Sequence, residues 1–164
     1  MNMSLLPTNV RSRLKRSQFA FEVVACDPDD SDTAVFVEKY GHSIQDSANC
    51  ILVKTKTGEE KFVACLVLAT TKLDVNKRVR KKICARKVSF VSAEEVRALT
   101  GMELGGVTPL GLPDELQLWV DARVMGREII IIGGGKRDCK IIVAPTILKQ
   151  IPNMEIAEDL ALPI

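Results

Sequence analysis

Four consecutive isoleucines, Ile129 to Ile132, run directly into Gly133, Gly134 and Gly135. β-Branched side chains pack well on a pleated surface, and successive glycines end a regular element, so 128–132 is expected as a buried strand followed by a turn over 133–138. The apolar run 139–144 then answers it, and 128–144 reads as a hairpin. The runs 49–54 and 62–69, with Gly58 between them, read as a second hairpin of buried strands. Aromatic residues make up only 4% of the chain, so the core that these strands bury has to be built from Ile, Val, Leu and Ala.

Helix signals fall between the strands. Pro7-Thr8-Asn9 starts a helix to about Ser17, and a strand follows over 19–24. The acidic turn at 27–32 opens a helix over 33–40 that stops at Gly41. Asp74 caps a basic helix over 75–83, and 88–91 is a short strand. Ser92 and Glu95 have the spacing of a capping box, with Gly101 closing the helix after Thr100. A strand is expected over 118–121, and Pro145 fits the first turn of a last helix reaching Gln150. Seven strands and five helices in this order indicate an α/β chain of the α+β type: a mixed, mostly antiparallel sheet with flanking helices. The 164 residues suit one domain, 1–164, with 1–6 as a loose leader and 152–164 as a surface tail.

Net charge is only +2, but its distribution is uneven. Lys72, Lys77, Arg78, Arg80, Lys81, Lys82, Arg86 and Lys87 fall within sixteen residues that hold a single acid, Asp74. Such a segment is either a phosphate-attracting face or a solvated helix surface. The five cysteines are odd in number and lack C-x-x-C spacing, and there is one histidine, His42, so no metal site and no cofactor is expected. Free thiols, no apolar leader and no run near the ~20 residues that span a bilayer predict a cytoplasmic protein.

The loop from Gly105 to Pro113 is the segment most suited to chemistry. Gly105, Gly106 and Gly111 allow close backbone approach, and Pro109 and Pro113 stiffen the loop. Backbone N–H groups aimed at one point suit an ester carbonyl or a developing oxyanion, although composition alone favours a tight turn with no ligand.

Leu99-Thr100-Gly101 followed by Gly105-Gly106-Val107-Thr108-Pro109-Leu110-Gly111 resembles the glycine signature of the YbaK/ProX-like, prolyl-tRNA-synthetase-associated editing domains. Ser92-Ala93-Glu94-Glu95-Val96, Leu118-Trp119-Val120-Asp121 and the glycine hairpin before Pro145 resemble its flanking segments, so the likeness covers about residues 8–151. It implies a central pocket and hydrolysis in trans of the ester joining a wrong amino acid to a tRNA, often tRNA(Pro). The implied partners are the tRNA acceptor end and an aminoacyl-tRNA synthetase, with neither a membrane nor DNA. It further implies Asn49, Gly105 and Gly106 as catalytic positions. Val107, Thr108, Pro109, Gly111, Asp121, Gly133, Gly134 and Gly135 would contact substrate, and Lys77, Arg78, Lys81 and Lys82 the nucleic acid.

One position departs from the family pattern. The family carries a lysine at the start of the first hairpin strand, where this chain has Asn49. An amide cannot replace an ammonium. Lys54 lies an odd number of residues away and would face the other side of a regular strand, leaving Lys56, Lys72 or Lys136 as other sources of charge. The alternative to an enzyme is therefore a non-catalytic homologue that binds an aminoacyl-tRNA or nucleotide end. Cys50 is expected to pack in the core, and His42 to have a surface or supporting role.

Overall fold

In the computed structural model, which describes residues 2–164, the isoleucine run lies in a three-stranded antiparallel sheet. The elements, in chain order, are α1 (Thr8–Ser17), β1 (Phe21–Ala25), α2 (Thr33–Tyr40), β2 (Ala48–Thr55), β3 (Phe62–Leu68), β4 (Thr71–Leu73), α3 (Arg80–Ile83) and β5 (Val88–Phe90). They continue with α4 (Ala93–Thr100), β6 (Gln117–Asp121), α5 (Ala122–Met125), β7 (Ile130–Gly133), β8 (Cys139–Val143), β9 (Met154–Ala157) and β10 (Ala161–Pro163). A π-helical turn, Val75–Val79, leads into α3, and a 3-10 turn, Pro145–Gln150, stands where the last helix was expected.

Strand order is β1-β8-β7 in one sheet and β5-β2-β3-β6-β9 in the other, with β10-β4 as a small ladder. Only β3–β6 and β6–β9 run parallel among the strand pairs. The fold is thus a mixed, mostly antiparallel single domain with flanking helices. The two larger sheets touch where Ser47 bridges Ile131, immediately before β2.

Strand alternation divides the interior. Leu52, Ala64, Leu66 and Leu118 pack with Ile130, Ile132, Ile141 and Val143 in the main core between the sheets. Val53, Val63, Cys65 and Trp119 face the other way, beneath Val79 and Ile83 of the basic segment. The outer face of the three-stranded sheet is covered by α2, whose Phe36 and Val37 pack on Ile131.

Both chain ends depart from expectation. The leader is packed rather than loose: Leu6 is buried, and Asn2 Nδ2 donates to Val23 O at 3.2 Å. Met1 lies outside the described residues. Residues 152–164 are not a tail laid on the surface. They form β9, which occupies the free edge of β6, and β10, which pairs with β4. The buried Asp121 carboxylate fixes this segment by accepting N–H bonds from Leu160 (3.2 Å) and Ala161 (3.1 Å), 39 and 40 residues away.

The five thiols differ in access. Cys84 is exposed, Cys26, Cys65 and Cys139 are buried, and Cys50 is half-buried with its thiol pushed up to about 12 by desolvation. A thiol reagent at neutral pH is expected to label one cysteine per native chain rapidly, with the other four reacting only after denaturant is added. Two or more rapid thiols would contradict this packing.

Candidate functional site

Between α2, the start of β2, the 104–107 loop and the ends of β7 and β8 lies a cavity of about 470 Å³. Phe90, Val91 and Val96 close it from the side of β5 and α4. The cavity exists at this junction because β5 pairs only with Val53 to Thr55 and leaves the first half of β2 uncovered on that edge.

Glycines set the position of the loop. A Cβ on Gly133 would stand 2.6 Å from Gly106 O and Val107 O, and one on Gly106 would stand 2.5 Å from the Lys136 backbone. The loop and the β7–β8 turn are therefore pressed backbone to backbone, joined by Gly135 N–H donating to Gly106 O (2.6 Å) and Glu103 N–H to Gly135 O (3.1 Å). Gly134 and Gly135 would likewise meet Cys139 and Pro7. Gly111, at φ +109°, has its carbonyl held by Asn9 of α1 at 2.6 Å.

This packing leaves specific donors open. Gly106 N–H donates to Glu103 O (2.9 Å), and Thr108 N–H points to Met102 Sδ (3.5 Å). The N–H groups of Leu104, Gly105 and Val107 have no acceptor among the described residues. All three residues line the cavity.

Of the positions singled out from the sequence, Asn49, Gly105, Val107 and Gly133 line the cavity. Gly106, Gly134 and Gly135 form the packing behind it. Thr108 is buried with its hydroxyl accepting from Leu110 N–H, Pro109 is buried, and Gly111 contacts α1. Asp121 is occupied by the C-terminal segment. Asn49 Oδ1 accepts from the Thr33 hydroxyl at 2.9 Å, and its Nδ2 has no partner among the described residues. Cys50 packs against the main core and also borders the cavity. His42 stacks on Phe36 at 5.3 Å outside it.

None of Lys54, Lys56, Lys72 and Lys136 lines the cavity; Lys54 is paired with Glu95. The cation present is Lys140 on β8, opposite Gly133 in register. It is only 8% exposed, donates from Nζ to Ser31 O at 2.8 Å and lies 5.4 Å from the Phe36 ring centre. Burial lowers its pKa from the ordinary lysine value, partly offset by the nearby Cys26 and Asp32. The sequence reading treated 139–144 only as a partner strand. A lysine inside so apolar a strand was the available signal, because lysine is rarely buried. Ser47, at the sheet junction, carried no comparable signal.

The basic segment packs on the face of the five-stranded sheet opposite the main core. Arg78 is held by Asp74 (3.7 Å) and Asp159 (3.2 Å), and Lys82 pairs with Glu155 and stands 5.0 Å over Trp119. Lys77 and Lys81 are exposed and form no ion pair among the described residues.

Comparison with known proteins gives a consistent assignment. A protein of Enterococcus faecalis named as a Cys-tRNA(Pro)/Cys-tRNA(Cys) deacylase is 27% identical over 108 residues, 66% of this chain and 63% of that one. The proline–tRNA ligase of Bacillus licheniformis is 34% identical over 92 residues, 56% of this chain but 16% of the ligase. The chain thus matches less than two thirds of the length of either relative. A crystal structure described as a trans-editing enzyme for prolyl-tRNA synthetase superposes with a TM-score of 0.77 at 21% identity, over 97% of this chain and 99% of that one. Another, of a hypothetical protein, gives 0.78 at 22% identity over 92% and 97%. At those identities the structures establish the fold. The aminoacyl-tRNA editing domain model matches residues 27–151, which carry the whole cavity, and the chain belongs to that family.

Proposed function

We propose that this protein hydrolyses, in trans, the ester that joins a wrongly attached amino acid to the 3′ end of a tRNA. The observation that carries the reading is the pair of open N–H groups at Gly105 and Val107, on a loop held rigid by backbone packing against Gly133. Donors fixed before the reaction stabilise the oxygen on which charge develops. Water adds to the ester carbonyl carbon, the carbonyl oxygen becomes an oxyanion facing those donors, and the bond to the ribose oxygen breaks as that oxygen takes a proton. Asp32, the one carboxylate of the lining, is suited to the free α-ammonium that an aminoacyl ester carries. Asn49 Nδ2 offers a further neutral donor at the mouth.

The relatives' names support tRNA(Pro) as the nucleic acid of this reading and a prolyl-tRNA synthetase as its partner. Lys77 and Lys81 are the cations freest to meet phosphates, with Arg78 and Lys82 contributing less because acids already neutralise them. Binding that uses these residues should weaken steeply as salt is raised.

The test is single-turnover deacylation across a panel of mischarged tRNAs, with wild type and Asn49→Lys side by side. Wild type is expected to release at least one amino acid on the order of a hundredfold faster than buffer does. Turnover by Asn49→Lys alone would make the natural protein a binding homologue, and a flat time course for both would remove the deacylase reading.

A further inference from the structure

Two buried polar groups in the cavity lack the partners that burial normally demands. Lys140 forms no ion pair among the described residues, and one carbonyl at 2.8 Å satisfies only one of its three ammonium hydrogens. Ser47, 3% exposed, has a buried hydroxyl oxygen with no hydrogen-bond partner at all. Both residues line the same cavity. An ammonium with unmet hydrogens and an orphaned hydroxyl are each unfavourable in a packed interior, and a ligand oxygen that reaches either group reduces that cost.

Size determines which part of a substrate arrives there. The body of a tRNA is far larger than a cavity of about 470 Å³, and the deacylase reading puts the ester at the Gly105 and Val107 N–H groups beside the mouth. The mouth is marked by exposed Phe90, Leu104 and Gly105. What reaches the buried groups is the part of the acyl group beyond the ester carbonyl, namely the amino-acid side chain.

We propose that Lys140 and Ser47 form a specificity floor that selects aminoacyl groups whose side chain ends in an oxygen acceptor over apolar groups of the same shape. This rests on the deacylase reading for the orientation of the substrate. Lys140 donates to the side-chain oxygen, and Ser47 donates or accepts as that oxygen requires. An apolar side chain of equal volume would fill the space while leaving both groups unpaired, which is how a polar site rejects an isostere.

Threonine and valine provide the matched pair. The probes are the non-hydrolysable amides of 3′-amino-3′-deoxyadenosine with threonine and with valine, measured by calorimetry on the full chain, beside deacylation of threonyl- and valyl-tRNA. Wild type is expected to bind the threonyl amide at least about tenfold more tightly. Ser47→Ala and Lys140→Met should each bring that ratio toward one, a change that a purely structural role would not produce. Ser47→Ala removes a single oxygen and keeps the test valid should Lys140→Met fail to fold. Equal or tighter binding of the valyl amide, no binding of either amide, or a ratio unchanged in Ser47→Ala would overturn the proposal. A threonyl preference in binding without hydrolysis of any ester would uphold the specificity floor and remove the deacylase reading.

Discussion

Gly133→Ala is expected to lower deacylation on the order of a hundredfold, the loss associated with moving reacting groups by about 1 Å. Alanine's Cβ would stand 2.6 Å from the carbonyl oxygens of Gly106 and Val107 and 2.8 Å from the Gly106 carbonyl carbon. These are backbone atoms, so no side chain can swing aside, and the 105–107 segment has to shift as a unit. That shift carries the open N–H groups away from the ester. The strain should also reduce stability by about 1–3 kcal/mol. Urea unfolding monitored beside single-turnover kinetics separates the two effects. Near-native turnover in a destabilised Gly133→Ala would mean that the loop does not position the reacting carbonyl.

The second large effect is expected at the opposite side of the fold. Asp121→Ala should destabilise the protein by about 3 kcal/mol or more, because it leaves the buried N–H groups of Leu160 and Ala161 without acceptors and removes a charge-assisted bond from Arg123 N–H. Hydrogen exchange should then quicken first in β9 and β10. Since Asp121 lies outside the cavity lining, activity per folded molecule is expected to stay near wild type. Uniform protection loss across all strands would show that the C-terminal segment is not a separately held unit.

What the sequence made legible was local. Ser92 accepts from Glu95 N–H at 3.2 Å and Asp74 from Lys77 N–H at 3.2 Å, as their spacing predicted. The two apolar hairpins are present because strand propensity and turn glycines act over a few residues. The acidic turn before α2 and the glycine loop both border the cavity. Non-local pairings were not legible. β9 exists because β6 has an edge to fill, and nothing in Met154–Ala157 by itself says so. The glycines were visible, but their packing was not: Gly106 lets two stretches of backbone touch, Gly134 leaves room for Cys139, and Gly135 leaves room for Pro7. Lys140 was visible as a lysine in an apolar strand, but its surroundings were not. A strand reading places it in a hairpin, and only the packing of α2 over that sheet turns the position into the floor of a cavity.

The pairing of β1 with β8 joins Phe21 to Val143, and the cavity draws on residues from Asp32 to Lys140. During synthesis on the ribosome, β1 therefore emerges long before its ladder partner β8 exists. Contacts this distant in sequence close slowly, because the intervening chain has to be ordered first. A nascent chain truncated before β8 has no floor, no support behind the glycine loop and no place for the first strand. Such a chain has no cavity of the kind described, and the proposed deacylation is expected to arise only after β8 has been made.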